Sequence, residues 1–378
     1  MPNGLRLRIG VLVNPYAGIG GSVGLKGSDG QVIRDKALAM GAELKAISRM
    51  QRTLSKLIPF SDQVDFFCFS HEMGEESVRA AGFVPQVVGS AQTIPSTSND
   101  TIHAIEKLIS YQLDLLLFAG GDGTARLLVD SVPKNQLVLG VPAGVKIHSG
   151  VYAYSPEAAG DILLQILGKK LVSSVTRDVK DINEDAFRLG QVKVKYYGEL
   201  TVPEANDLLQ QVKNSGSEKN AQAQLDVAQT LIEQLDQDTL YLVGTGSTTH
   251  LFLQELGLEG SLLGVDLLLN SQLIAKDVSA NELMQAINSH QSAVKIIVTA
   301  IGGQGHIFGR GNQQFTPDVI RCVGKSNLIL AVARDKLLSL NGRPLLVDTH
   351  DPELDYLLSG LYPVVVGYQD TVLYQVGY

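Results

Sequence analysis

Apolar residues fall along this chain in short runs separated by glycine-rich and proline-rich turns, and the spacing of the runs changes near residue 150. Residues 7–13 are apolar and β-branched, which predicts a buried first strand. A long glycine-rich loop occupies 14–30. Residues 31–52 predict a helix, followed by an apolar stretch at 54–58. A second buried strand is expected at 64–69, a short helix at 75–81 and a third strand at 85–88. Residues 98–110 predict a helix capped by Ser98 or Asn99. Apolar runs at 113–119 and 137–141 predict two more strands, with a helix opening at 125–129 between them. Strands alternating with helices predict a parallel α/β sheet, so 1–150 is expected to be a doubly wound N-terminal domain.

Beyond that point strand-like runs dominate, at 171–178, 186–197, 241–243, 294–300, 319–323 and 328–333. One segment differs. Ala221, Leu225, Ala228, Leu231 and Leu235 recur at three- and four-residue steps with Gln, Asp and Glu between them, the pattern of an amphipathic helix over 220–235. Residues 151–340 are therefore expected to form a second, β-rich, sandwich-like domain. The tail, 341–378, predicts a helix at 351–360 and two strands at 362–366 and 371–376, and the pattern assigns it to neither domain.

Composition removes several function classes. The 378 residues carry 31 Lys and Arg against 39 Asp and Glu, a net charge of −8 with no basic run, which disfavours nucleic acid or an anionic membrane as partner. The two cysteines, Cys68 and Cys322, lie in apolar runs and are expected to be reduced, buried and inert. The seven histidines show no zinc-type spacing. No signal-type apolar region opens the chain and no apolar segment approaches about 18 residues, so a cytoplasmic location is expected. A homo-oligomer is expected as well.

The strongest chemical signal is Gly120-Gly121-Asp122-Gly123-Thr124, between the 113–119 strand and the following helix. Glycines let backbone approach an anion closely, and free N–H groups at a helix start point towards it. A carboxylate in such a loop has an electrostatic cost that implies a chemical role, either organising Mg²⁺ or taking a proton from an attacking hydroxyl. The plainer alternative is a tight turn with Asp122 as a helix cap. Asn14-Pro15-Tyr16-Ala17-Gly18-Ile19-Gly20-Gly21 closes the first strand, but Val23 breaks the dinucleotide fingerprint and no Walker-type GKS or GKT is present. Lys26 stands among the glycines of this loop and would either neutralise a phosphate or remain solvated.

The acidic pentapeptide resembles the signature of the superfamily that holds the ATP-NAD kinases, the diacylglycerol and sphingosine kinases and, more distantly, the phosphofructokinases. Asn14 with Gly18, Gly20 and Gly21 is similar to that superfamily's first phosphate-contacting loop. Gly244-Thr245-Gly246-Ser247-Thr248-Thr249 resembles the Gly-Ser-Thr element that ATP-NAD kinases place opposite the acidic loop. Pro142-Ala143-Gly144-Val145-Lys146-Ile147-His148-Ser149 lacks the Thr and Asn-Asp of lipid kinases and looks like the AcoX-like branch, the predicted polyphosphate/ATP-NAD kinases. That likeness implies a cleft lined by Lys146, His148 and Ser149. Asn183-Glu184 stands where ATP-NAD kinases carry a nucleotide-binding pair, although an acidic surface turn fits the residues equally well. The loop 302–314 resembles the same branch and offers Arg310 and Asn312.

The resemblance implies a two-domain kinase. It would use ATP or polyphosphate with Mg²⁺, have NAD as substrate and take small-molecule nucleotides as its partners. Asp122 would be catalytic, and Gly120, Gly121, Gly123 and Thr124 would hold phosphates. The facing loop would contribute Gly246, Ser247 and Thr248. A lipid kinase and a nucleotide-binding regulator without turnover are the competing readings. Loss of the Thr-x-Asn-Asp string argues against the first, and the presence of Asp122 against the second.

Overall fold

A computed structural model describes residues 6–25, 30–145, 147–168, 173–182, 194–205, 208–209, 218–301 and 305–377. Five parallel strands, β1 (Leu7–Val13), β2 (Val64–Phe69), β3 (Gln86–Gly89), β4 (Leu115–Gly120) and β5 (Val138–Pro142), form the first sheet in the order β3-β2-β1-β4-β5. β4 and β5 are buried at every position, as expected for strands covered on both faces. Helices Ala46–Ser55, Ser98–Ile109, Asp122–Ser131 and Pro156–Leu167 provide cover, with Met50, Ile105, Leu128 and Ile162 fully buried in one core. The chain leaves β1 towards β2 and β3, then returns to place β4 on β1's other side. The strand order therefore reverses between β1 and β4, and the loops after Val13 and Gly120 open at this switch point, where doubly wound sheets bind ligands.

An antiparallel hairpin, β6 (Ser174–Ile182) with β7 (Val194–Pro203), packs beside the Asp122–Ser131 helix. Its Val179, Leu200 and Val202 join the first core, which runs from Ile9 to Leu209 and so passes residue 150.

The second unit is one mixed sheet: β8 (Leu240–Val243), β9 (Asp266–Leu269), β10 (Gln272–Ala275), β11 (Val294–Val298), β12 (Leu328–Ala331), β13 (Leu345–Leu346), β14 (Gly360–Gly367) and β15 (Asp370–Gly377). Their order is β10-β9-β8-β11-β12-β14-β15-β13. Neighbouring residues of its strands enter different cores. Leu240, Leu242, Ile296 and Val298 pack with helices Ala280–Ser289, Pro317–Val323 and Pro352–Leu358. Tyr241, Val243 and Ile297 pack with Glu218–Glu233 and Ser247–Glu255. Its covering layers are thus helical. The tail belongs here, because β14 pairs with β12.

Four local expectations are corrected. Cys322, expected to be buried, is exposed on the helix Pro317–Val323, whereas Cys68 on β2 is buried. The helix Ser98–Ile109 is capped by Thr97, in a capping box with Asp100, rather than by Ser98 or Asn99. The helix expected over 31–52 is two, Gln31–Ala39 and Ala46–Ser55, separated at Gly41, whose φ of 83° no right-handed helix accommodates. The run at 319–323, expected as a strand, is the end of helix Pro317–Val323. Pro317 supplies the fixed φ of a first helical turn, and a short apolar run does not itself separate helix from strand.

Candidate active site

The acidic loop is built by the end of β4 and the first turn of the Asp122–Ser131 helix. Gly121 is the extended N-cap residue, so Asp122 opens the helix, where a carboxylate is favoured by the helix dipole. Only 4% exposed, Asp122 is held from the chain that follows β5. Its Oδ2 accepts from the His148 backbone N–H at 2.6 Å and lies 3.2 Å from His148 Nδ1, and its Oδ1 accepts from the Ser149 N–H at 3.1 Å. The carboxylate partner places the imidazole proton on Nδ1. Tyr152 donates to the Gly121 carbonyl at 2.6 Å, and burial, then the negative charge of Asp122, hold its phenol well above the usual value.

The first loop is tied to the acidic one. Asn14 N–H donates to the Ala119 carbonyl at 2.9 Å, and its Nδ2 donates to Thr124 Oγ1 at 3.1 Å. Gly18 has φ 79°, and a Cβ there would come within 2.1 Å of the Ala143 carbonyl oxygen, so only glycine allows this approach. Ala143 and Gly144 N–H groups both donate to the Gly120 carbonyl. The structure therefore brings together Asn14, Gly18, Gly120, Gly121, Asp122, Thr124, His148 and Ser149. The hydroxyl of Ser149 is engaged elsewhere, donating to the Lys180 carbonyl and accepting from the Lys180 N–H. Lys26, Lys146, Asn183 and Glu184 lie outside the described residues.

In the second unit the Gly244–Thr249 turn follows β8. Gly246 has φ 136°, with Thr299 too close for a Cβ. Thr245 N–H donates to Asn312 Oδ1 at 2.8 Å and Thr245 Oγ1 to the Gly311 carbonyl at 2.9 Å. Ser247 is exposed and accepts from Gln224, whereas Thr248 is buried. Among the described residues no hydrogen bond joins Ser247 or Thr248 to the acidic loop. The link is the 305–315 segment, whose Asn312 holds the turn while Arg310 donates to the Tyr154 carbonyl at 3.0 Å. Burial chiefly, then repulsion from Arg49, lowers Arg310 to about 9, opposed by the charges of Asp348 and Asp122, so it stays cationic at neutral pH beside the acidic loop.

The sequence pattern gives no sign of a buried cluster that joins the units. Arg49, on the Ala46–Ser55 helix, pairs with Asp348 through both carboxylate oxygens, donates to the Pro142 carbonyl and lies 2.7 Å from His350 Nδ1. Burial first, then the Arg49 charge, depress His350 well below its ordinary value, so the ring is neutral and accepts. Asp348 is held far below the usual carboxylate range despite burial, by Arg49 above all. Beside this cluster a crevice of about 460 Å³, counting its solvent-filled mouth, opens between the units and is lined by Gly18, Lys45, Ala143, Gln313, Thr349 and His350. Burial lowers the Lys45 amine, which forms no ion pair among the described residues.

Asp355 carries an opposite pH signature. It accepts from the Thr349 N–H and hydroxyl, yet burial raises it to about 6. Its folded value lies above the unfolded one, so the folded state prefers the acid and loses stability as pH rises from about 4 to about 6. Asp355→Asn, whose Oδ1 still accepts both bonds, is expected to flatten that slope and add roughly 1–3 kcal/mol at pH 7. Denaturant titrations at several pH values check this, and an unchanged slope in the variant would refute it.

The two units each open a glycine turn at the end of a parallel strand and are joined by charged residues, an arrangement suited to holding phosphates. Residues 9–171 match the ATP-NAD kinase N-terminal domain and residues 221–376 the ATP-NAD kinase C-terminal domain. The chain belongs to the ATP-NAD kinase family and is a phosphotransferase acting on a hydroxyl. No curated protein and no solved structure matches it. The family uses ATP and NAD with a divalent metal. Among the described residues no group of three or more His, Cys, Asp or Glu is gathered as a metal cage, and three donors already occupy the Asp122 carboxylate. No helix among the described residues is long and apolar enough to cross a membrane.

Proposed function

We propose that this chain transfers the terminal phosphoryl group of ATP, or of inorganic polyphosphate, to a hydroxyl of NAD. The carrying observation is the buried Asp122 carboxylate at the switch point, flanked by two loops hydrogen-bonded to each other. In this reading backbone groups of the Gly120–Thr124 loop, with Asn14, Gly18, Gly20 and Gly21, hold the phosphates. Gly246, Ser247 and Thr248 receive ribose or phosphate oxygens of the second nucleotide across the 305–315 segment. Arg310 adds positive charge near the transferring group. Catalysis then consists mainly of positioning and charge neutralisation. The Pro142–Ser149 string supports placing the chain in the AcoX-like branch.

Ligand binding tests the reading. ATP with Mg²⁺, NAD, NADP and polyphosphate are each added at saturation, and the thermal midpoint is followed. A ligand held at about 100 times its Kd stabilises the folded state by about 2.7 kcal/mol, an upward shift of several degrees. No shift and no calorimetric heat with all four would reject the nucleotide site. A shift without phosphate transfer would favour a nucleotide-binding regulator.

A further inference from the structure

The crevice between the units holds a cation with no counter-ion. Lys45 lines it from the first unit, half-buried, and its ammonium makes no hydrogen bond or ion pair among the described residues. Burial above all disfavours its charge; the Glu43 carboxylate favours it from beyond ion-pair range, and Arg49 repels it. Asp348 also attracts it, but both oxygens of that carboxylate are taken by Arg49. A cation drawn out of water without a partner is costly, and an arriving anion removes the cost. Three further features of the crevice suit an anion. Lys45 is the N-cap residue of the Ala46–Ser55 helix, which has no side-chain cap and no acid in its first turn, so the helix dipole adds positive potential at that end. Gln313 lines the crevice from the second unit with its amide against Gly21; its Oε1 is buried without a partner, and a half-turn of the amide presents Nε2 as a donor. Ala143, on the wall, donates its N–H to the Gly120 carbonyl, so the crevice adjoins the acidic loop. No flat face is open to a base there: Phe315 in the lining is 2% exposed and packs edge-on against Phe308.

We infer that this crevice binds the non-transferred phosphates of the donor, with the Lys45 ammonium as their counter-charge. The inference deepens the phosphotransferase reading above and rests on it. A phosphoanhydride chain is narrow, carries negative charge on every unit and needs donors rather than a stacking surface. Its terminal group would lie at the Gly120–Thr124 loop, and the chain would run past Ala143 and Gly18 to Lys45 and Gln313. A lysine meets it as a compact point charge with three rotatable donors, which suits a chain whose units are alike. ATP and inorganic polyphosphate share this chemistry.

Calorimetry on the full chain, with inorganic tripolyphosphate and separately with ATP, compares wild type with Lys45→Met, Lys45→Arg and Glu43→Gln. Lys45→Met keeps the aliphatic stem and removes the charge, and is expected to weaken tripolyphosphate binding about 10–100-fold. Lys45→Arg should stay within about threefold of wild type, and Glu43→Gln should bind as tightly or more so. The thermal midpoint of ligand-free Lys45→Met should be no lower than that of wild type, because the lost ammonium makes no ion pair; a purely structural lysine would lower it. A loss for tripolyphosphate alone supports an inorganic chain in the crevice, and a loss for both ligands supports the chain of either donor. The inference is overturned if Lys45→Met binds tripolyphosphate within about twofold of wild type, if wild type binds neither ligand, or if ATP binds without displacing tripolyphosphate. Should affinity fall as expected while wild type transfers no phosphate, the phosphotransferase reading fails and the phosphate site stands.

Discussion

Asp122→Asn is expected to lower turnover about 10²–10⁴-fold while leaving nucleotide affinity nearly unchanged. Affinity persists because the N–H groups at the start of the Asp122–Ser131 helix do not depend on that side chain. Turnover falls because the substitution removes the carboxylate to which the proposed reading gives the catalytic role. The aspartate accepts on both oxygens, from His148 N–H and Nδ1 and from Ser149 N–H. An asparagine accepts on one oxygen only and must turn its NH₂ group towards a donor. One buried hydrogen bond is then unmade, at about 1–3 kcal/mol, so the thermal midpoint should drop by a few degrees without loss of cooperative unfolding. Steady-state kinetics with a parallel thermal scan reads both effects. Near wild-type turnover in a well-folded variant would remove Asp122 from the catalytic account.

Asp348→Ala is expected to be the most destabilising single change at the junction of the units, by about 3–5 kcal/mol. Both partners are nearly inaccessible, Arg49 at 2% and Asp348 at 2%, so deletion of the carboxylate strands a guanidinium away from water. The pair also braces the site. Arg49 donates to the Pro142 carbonyl, and the next two residues donate to the Gly120 carbonyl. A double variant, Arg49→Met with Asp348→Leu, should recover much of the loss, since it leaves no unpaired charge. The pH sign follows from the depressed Asp348 value. Its stabilisation is present above the ordinary carboxylate value of 3.8 and is lost as acid reaches the folded value below it. Denaturant unfolding at pH 7 tests the magnitude; single variants within about 1 kcal/mol of wild type would contradict the role given to the pair.

The sequence makes the acidic loop legible because everything that defines it is local. An apolar run ends in glycines, an acid follows, and a helix begins, all within residues 113–129. The alternation of strands and helices in the first unit is legible for the same reason. What escapes is chemistry assembled from distant segments. Arg49 and Asp348 are 299 positions apart, and neither lies in a motif that marks it as buried and paired. Ser149 stands in a motif that suggests ligand contact, yet its hydroxyl bonds Lys180 of β6, a pairing no spacing reveals. His148 is legible as a cleft residue, but its relation to Asp122 depends on how the chain turns after β5. The 319–323 run shows the limit of periodicity, since five residues satisfy helix and strand alike until Pro317 decides between them.

The central claim is that a nucleotide hydroxyl is phosphorylated at the Asp122 loop. Purified full-length protein incubated with Mg²⁺, NAD and γ-labelled ATP, and separately with labelled polyphosphate, measures it directly. Label should appear in NADP with at least one of the two donors, in step with donor consumption, and should fall about 10²–10⁴-fold with Asp122→Asn. Bound nucleotide with no label transferred from either donor, or transfer that Asp122→Asn leaves unchanged, would contradict the account.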